Sequence, residues 1–538
     1  MTRRGFITGA TVAAGVSVAG LAGCSPTEQT GGETPSGSPA STAQTPTQPE
    51  WGLPPYSETA DETLEADIVI VGSGMAGMAA ALTAAEAGAS VIVVEKNGEI
   101  GGGTNFAEGI FAIESPLQQE LGVEGDVRLM LQAEYEFQRY NVDSTLWTVV
   151  ANNSPTDIRW LMDEGVEFSE LGAGSAVTII RTQHMYLEHR GKNALAVMEA
   201  KATSLGVTIR KNARASHILK DGDKVAGIQA ETAEGILNVN AKAVILATGG
   251  AGNTNDLINT YTNRNADNMY WCGAPGITGD GIMMASEAGM GRPYRIAGPG
   301  LGVTVEPLGV SSQLGAAGAM EPTNLWVNQD ARRFANEGLT MSYIYATNSV
   351  DSQLKTFSVF DQTQFDRMVN EGCIRGWGYY VNKGTKLTEL QAELDREIAN
   401  GNPYVFAAET LDELAEAMGI DAETFKATVD TYNGYVEQGE DPDFVKDVAY
   451  LVPVKTAPFY GFRVKSSIVQ WVGGIHVNSA AEVIQADGTP IPGLYAGGIE
   501  CAGFQGETYG LSIPGSCQGI ALGFGRQSAH SAVEYIAQ

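Results

Sequence analysis

Ala66-Asp67-Ile68-Val69-Ile70-Val71-Gly72-Ser73-Gly74-Met75-Ala76-Gly77 is the stretch on which the reading of this chain turns. Its unbroken aliphatic run suits a parallel strand buried on both faces. The glycines that follow permit a tight turn, close approach of the backbone to a pyrophosphate, and close packing of a helix on a strand. An alanine-rich stretch to Gly88 reads as that helix, whose N-terminus favours negative charge. Ser90 to Val94 reads as a second strand ending at Glu95, an acid placed to bind a ribose hydroxyl pair. Strand, glycines, helix, strand and acid in this order predict a dinucleotide site, although the motif alone does not separate NAD from FAD.

Three later segments favour FAD. Gly101-Gly102-Gly103-Thr104-Asn105 is a small-residue loop able to lie along phosphate or ribityl. Ala243 to Gly250, reading Ala-Val-Ile-Leu-Ala-Thr-Gly-Gly, is a buried strand ending in a tight backbone approach. Ile491-Pro492-Gly493-Leu494-Tyr495-Ala496-Gly497-Gly498 is a turn, a short strand and another glycine pair. Glycine turns are common where 66 of 538 residues are glycine, so each segment has a purely structural alternative. Taken jointly, they point to a flavin dinucleotide.

Composition narrows the function. At 538 residues and 43% hydrophobic, the chain can bury a large core, and its length suggests about two to four domains. A formal net charge of −30 argues against nucleic-acid binding, which needs clustered basic residues. The five cysteines form no CxxC pair, which removes the usual signature of zinc ribbons and dithiol redox sites, and no metal site is expected.

The first residues read as an address. Thr2-Arg3-Arg4-Gly5-Phe6 and the apolar run Ile7 to Ala22 have the form of a twin-arginine signal covering residues 1–23. Leu21-Ala22-Gly23-Cys24 resembles a lipoprotein box; the alternative is a cysteine that merely lies near a cleavage site. Residues 24–60, rich in Ser, Thr and Pro, read as a flexible tether because they offer little apolar surface to offset their ordering entropy. Export by the twin-arginine route is thus expected. The destination is the outer face of a bacterial cytoplasmic membrane, held there only by the N-terminal lipid, or the periplasmic or extracellular space.

Gly72 to Gly77, Glu95, Gly101 to Thr104, Ala247 to Gly250, Thr278-Gly279-Asp280-Gly281 and Pro492 to Tyr495 together resemble one flavoprotein family. It is that of the fumarate reductase and succinate dehydrogenase flavin subunits, urocanate reductase and 3-ketosteroid dehydrogenases. The resemblance implies an α/β architecture: a Rossmann-like FAD-binding domain in two sequence segments, 61–291 and 467–538, with an inserted α+β capping domain at 292–466. It further implies FAD contacts from Gly72, Gly74, Met75, Ala76, Gly77, Glu95, Lys96, Gly102, Gly103, Thr104, Glu108, Gly109, Ala215, Thr248, Gly249, Asp280, Gly498, Ser516 and Gln518. Covalent attachment in the family uses a His that Thr104 to Ala112 lacks, so the FAD is expected to be non-covalent. In the cap, Leu411 to Met418 and Phe425 to Tyr435 carry apolar residues at helical spacing, with Asp421 as a helix cap.

The chemistry so implied is hydride transfer between flavin and an activated C=C bond, with a protein group handling the proton. The fumarate version resembles Asn-Glu, two residues, Thr-Arg-Asp in the cap, with the Arg as proton donor. Here Asn336-Glu337-Gly338-Leu339-Thr340-Met341 starts the same way but puts Met341 in the Arg place. Gln470 stands where the family's His is expected, and Ser512 about where its substrate Arg belongs. A site for two carboxylates needs cations, so fumarate is a poor fit. Tyrosines near these positions, Tyr343, Tyr345 and Tyr509, are the candidate catalytic groups together with Gln470 as a carbonyl ligand. A phenol donates a proton without a buried charge, although among 19 tyrosines any one is more often a packed residue. Arg332 and Arg333 read as structural, and Glu500 as doubtful for flavin contact.

The leading expectation is an extracytoplasmic FAD-dependent reductase of an enoate or enone. Its small-molecule alkene would draw on electrons from an external cytochrome or flavoprotein donor, because the chain has no haem-attachment CxxCH. Alternatives are a 3-ketosteroid-type dehydrogenase and a non-catalytic flavin carrier.

Overall fold

Glu62–Val71 becomes the central strand of the larger sheet, and its last residues, Ile68 to Val71, are buried. The computed structural model describes residues 52–172, 180–297, 300–309, 311–377, 381–510 and 512–538. The signal-like residues 1–23, Cys24 and most of the predicted tether lie outside these described residues.

Val91–Val94 pairs in parallel with one side of Glu62–Val71, and Gly235–Leu246 with the other. Thr208–Arg210 extends the sheet past Val91–Val94, and Pro490–Ala496 extends it past Gly235–Leu246, both in parallel. The hairpin Arg214–Asp221 and Lys224–Thr232 and the edge strand Glu482–Ile484 complete eight strands. One sheet is therefore assembled from two distant parts of the chain. Its two faces carry separate apolar layers, one of them built around the alanine-rich helix Met75–Glu86.

Glycine is required at the first turn. Gly72 has φ +101°, and a Cβ there would lie 2.3 Å from the Ala247 carbonyl oxygen. On Gly77 a Cβ would fall 1.9 Å from the Gly72 oxygen. The C-terminal helix Ser516–Ile536 crosses Met75–Glu86 just as closely, since a Cβ on Gly525 would sit 2.4 Å from the Ala76 oxygen.

A second sheet is built around Phe459–Ile468, a strand buried along its whole length. It pairs with Met269–Trp271, Gly300–Val305, Thr356–Asp361 and Val405–Ala408, and Leu325–Asn328 pairs onward from Thr356–Asp361. Helices Leu411–Met418 and Ala422–Gln438 cover part of it through Leu414, Met418, Phe425, Val429 and Tyr432. Asp421 caps the second of these by accepting from the Thr424 N–H at 2.8 Å, while Thr410 and Glu413 form a capping box on the first.

Two sequence expectations need correction. Met269–Trp271, which falls before 292, joins the second sheet because its backbone edge meets Phe459–Ile468. The last residues assigned to the tether are also packed. Tyr56 stands edge-on to His217 at 5.6 Å, His217 contacts the Pro54 carbonyl at 2.7 Å, and Ser57 N–H donates to Gln229. Leu53, Pro54 and Tyr56 supply the surface that the preceding polar residues lack. Among the described residues, no helix is long and apolar enough to cross a membrane.

A buried ionic cluster fixes the turn ahead of Tyr343. Arg333 donates two bonds of 2.8 Å to Glu337 and bonds of 3.0 and 2.8 Å to Asp441, and Lys446 lies 3.1 Å from Glu337. Arg333 is thus held by the cluster, whereas Arg332 exchanges backbone bonds with Asn328, its N–H donating to Oδ1 and its carbonyl accepting from the Asn328 N–H at 2.9 Å.

Candidate active site

One cleft runs from the C-terminal ends of the parallel strands to the second sheet, with a cavity volume of ≈ 380 Å³. That is within the range of cofactor and small-molecule sites, roughly 300–1,000 Å³. Its dinucleotide end follows from the glycine turn. Helix Met75–Glu86 starts without a side-chain cap, and Gly74, Met75 and Ala76 line the cleft. Met75 N–H donates to Thr104 Oγ1 at 3.0 Å; the remaining donors of that first turn face an incoming anion. Glu95 is fixed at its strand end, accepting from Ser73 N–H (3.1 Å) and Oγ–H (2.5 Å) and from Asn97 N–H (2.8 Å).

Asp280 anchors the next part of the wall. Lys96 Nζ lies 2.7 Å from one of its oxygens and Arg214 Nη2 lies 2.9 Å from the other. Burial opposes ionisation of Asp280, but the two cations outweigh it and hold its carboxyl below the usual range. Glu500 is fully buried and does not line the cleft. Its two oxygens accept from the backbone N–H and hydroxyl of Thr248, so it shapes the Thr248-Gly249 turn. Burial pushes its carboxyl up to about 7.

Side chains from helices and loops flanking the two sheets meet at the far end. Tyr343 opens helix Tyr343–Asp351 and is 5% exposed. Trp377 stacks on its ring at 5.3 Å, and the Arg375 guanidinium sits 4.2 Å from the ring centroid. Burial raises the Tyr343 phenol; the charge and hydrogen bond of Arg375 pull it down, and the charge of Glu108 pushes it up. Opposite lie Gln470, Tyr509 and Cys517. Gln470 Nε2 donates to Cys517 Sγ at 3.0 Å, and the Tyr509 hydroxyl shares hydrogen bonds with Cys517, Gln470 and Ser516. Burial holds Tyr509 far above its usual range and pushes the Cys517 thiol up to about 12, so both groups are protonated near neutrality.

The loop carrying Tyr509 is braced from behind. Gln505 Oε1 accepts from Gly510 N–H at 2.7 Å and from Gln138 Nε2 at 2.8 Å, and Gln138 Nε2 also reaches Glu134 at 3.0 Å. Ser512 donates to Glu134, whose carboxyl is pushed by burial up to about 6. Two contacts tie this loop to the second sheet's helices: Asn348 Nδ2 donates to Thr508 Oγ1 (2.7 Å), and Arg264 donates to the Glu507 carbonyl (2.7 Å) while pairing with Asp351.

Of the residues singled out in the sequence, Tyr343, Tyr509 and Gln470 meet at this cleft. So do Gly72, Gly74, Met75, Ala76, Glu95, Lys96, Gly102, Gly103, Thr104, Glu108, Gly109, Ala215, Thr248, Gly249, Asp280, Gly498 and Gln518. Three do not line it. Tyr345 is 46% exposed, because two residues along the helix from Tyr343 turn it outward. Gly77 lies beneath the turn, against Gly72, and Ser516 lies behind Tyr509. Arg375 and Trp377 are the residues that sequence reading missed; neither belongs to a motif, and only the packing of distant segments brings them to Tyr343.

The donor set fits FAD: uncapped helix donors for a pyrophosphate, a fixed acid at the ribose position, and a long cleft ending among aromatic groups. Comparison with known proteins agrees. A family model described as FAD binding domain matches residues 67–512. The vinyl phenol reductase of Lactiplantibacillus plantarum is 36% identical over 490 residues, covering 88% of this chain and 97% of that protein. The urocanate reductase of Eggerthella lenta is 29% identical, covering 85% and 72%. Among solved structures, the 3-ketosteroid delta1-dehydrogenase of Sterolibacterium denitrificans shares the fold with a TM-score of 0.66 at 18% identity, covering 87% of this chain and 99% of that one. The chain belongs to the FAD-binding flavoprotein family.

Proposed function

We propose that this protein is an FAD-dependent oxidoreductase that reduces the activated C=C bond of an uncharged aromatic alkene, with Tyr343 as proton donor. The observation that carries the reading is the contrast between the two ends of the cleft. Lys96 is the single cation among the described residues lining it, and Lys96 is already bound to Asp280. Among these lining residues a dicarboxylate would find no unpaired positive charge, the Arg375 guanidinium being occupied by the Tyr343 ring and the Thr340 carbonyl, whereas a flat apolar substrate finds Leu301, Trp377 and Ile277. The 36% identity to a vinyl phenol reductase supports an alkene carried on a phenol ring.

Bound FAD would supply the hydride. Gly72, Gly74, Met75, Ala76, Gly102, Gly103 and Thr104 would hold its phosphates and ribityl chain, with Glu95 at the ribose and Gly249, Gly498 and Gln518 nearer the ring. As hydride adds to one alkene carbon, Tyr343 gives its proton to the other. Arg375 offsets the charge left on the phenol oxygen, while Trp377 keeps the ring in place. Tyr509 and Gln470 face the substrate as hydrogen-bonding groups for its polar substituent. Closure of the segment 292–466 over the site excludes water during transfer.

The broader setting belongs to the same reading. Thr2 to Phe6 would direct twin-arginine export, and lipidated Cys24 would hold the protein at the outer face of the membrane. A basic cytochrome or flavoprotein, drawn to the −30 surface, would deliver electrons. Tyr343→Phe tests the donor assignment. With flavin content and dithionite reduction unchanged, oxidation of the reduced protein by vinyl phenol should slow by about 10²–10⁴-fold, the usual contribution of a positioned acid. A rate within threefold of the parent would remove Tyr343 from the mechanism.

A further inference from the structure

Glu108 is the carboxyl that the proposed mechanism leaves unused. It follows the short turn Gly102–Phe106, precedes strand Gly109–Phe111, and lines the same cleft as Tyr343. Among the described residues its side chain has neither a hydrogen-bond partner nor a cation, unlike the other two carboxylates of the cleft. Glu95 is saturated by Ser73 and Asn97, and Asp280 by Lys96 and Arg214. An unpaired carboxyl in a partly enclosed apolar cleft is costly as an anion and has no structural bond to retain it.

Its surroundings supply no charge paired with it; the Arg375 guanidinium lies against the Tyr343 ring, and burial alone governs the Glu108 carboxyl. The paired strand Gln183–Tyr186 presents His184, whose ring is taken by Ser115 and Thr182, and Tyr186, whose hydroxyl donates to Gln518. Arg190, next to the backbone bond from Gly191 to Ala107, is exposed, and Lys192 pairs with Glu99. Tyr343, Tyr509, Cys272 and Cys517 line the same cleft, all neutral near pH 7. Glu108 is half-buried and Tyr343 almost wholly so, and the Glu108 charge is near enough to oppose ionisation of Tyr343.

We infer that Glu108 returns the proton to Tyr343 after each turnover, relaying it from water at the mouth of the cleft. This rests on the reading of Tyr343 as donor. The Glu108 O–H bond breaks as its proton passes to a water in the cleft, that water gives a proton to the Tyr343 phenolate, and the Glu108 carboxylate then takes a proton from solvent. Burial places the Glu108 carboxyl at about 7, below the phenol, so transfer to a phenolate runs downhill.

Glu108→Gln separates the relay from a structural role. In anaerobic stopped-flow with vinyl phenol at flavin content matched to the parent, the first turnover of the reduced variant should fall far less than its steady-state turnover, because Tyr343 starts protonated. Steady-state turnover with reduced viologen should fall by at least about tenfold, and added acetic acid should restore part of it. Parent turnover should decline as pH rises through about 7, and the variant should lose that limb. Infrared difference spectra between pH 5 and pH 8, taken on the flavin-free protein as well, should show a carboxylic C=O band in the parent that the variant lacks. Unchanged steady-state turnover, equal loss in both phases without rescue, or no missing band would overturn the relay. Full activity of Tyr343→Phe beside a normal Glu108 band would instead refute the donor reading alone.

Discussion

Arg375 offers the most quantitative test of how the site works. Its guanidinium lies 4.2 Å from the Tyr343 ring centroid and, when the phenol gives up its proton, faces a new negative charge. Opposite unit charges about 4 Å apart, the spacing for a phenolate charge spread over oxygen and ring, attract by about 4 kcal/mol at an effective dielectric constant of about 20. If half the phenolate charge has developed at the transition state, about 2 kcal/mol is at stake, or roughly 30-fold in rate. Arg375→Leu should therefore slow anaerobic oxidation of the reduced protein by vinyl phenol about 30-fold, and Arg375→Lys should recover much of the loss. In a Tyr343→Phe background the same substitution should do little, because no phenolate forms. Circular dichroism and flavin content would establish that the variants fold, since Arg375 also donates to the Thr340 carbonyl at 3.3 Å. A change below threefold in the single variant, or an undiminished 30-fold loss in the double variant, would refute the electrostatic role.

Other consequences concern the scaffold. Gly77→Ala places a methyl group 1.9 Å from the Gly72 oxygen, so the turn must open and the purified protein should be colourless; retained yellow flavin would contradict this. Glu337→Ala leaves Arg333 and Lys446 facing Asp441 alone in a buried site, and urea denaturation should show a loss of about 3–5 kcal/mol. Glu500 has a raised carboxyl, so the folded state holds its proton more tightly than the unfolded chain does. Its contribution is full below pH 4.5 and is lost as pH rises to about 7, a loss of roughly 3 kcal/mol. Urea titrations at pH 5 and pH 8 should show that decline in the parent and a smaller one in Glu500→Gln.

The flavin half of the molecule was legible in the sequence because its constraints are local. Gly72 and Gly77 are dictated by backbone contacts measured in ångströms, and Ile68 to Val71 by burial on both faces. Helix Ala422–Gln438 was legible from Asp421 and its apolar spacing for the same reason. The cap's edges were less so, because the place of Met269–Trp271 is set by a strand almost two hundred residues later. Tyr343 could be named from its neighbourhood to Met341, but Arg375 and Trp377 could not. Their bearing on Tyr343 comes from tertiary packing of segments that carry no motif. Glu108 was read as a cofactor ligand from its position beside the glycine loop, and only its lack of a partner in the cleft sets it apart.

The most direct test of the central claim is a substrate comparison on the purified protein under anaerobic conditions. After reduction with dithionite, the flavin should be reoxidised within seconds by vinyl phenol with formation of the saturated ethyl phenol. Equal concentrations of fumarate should leave it reduced. Rapid reoxidation by fumarate and none by aromatic alkenes would contradict the account.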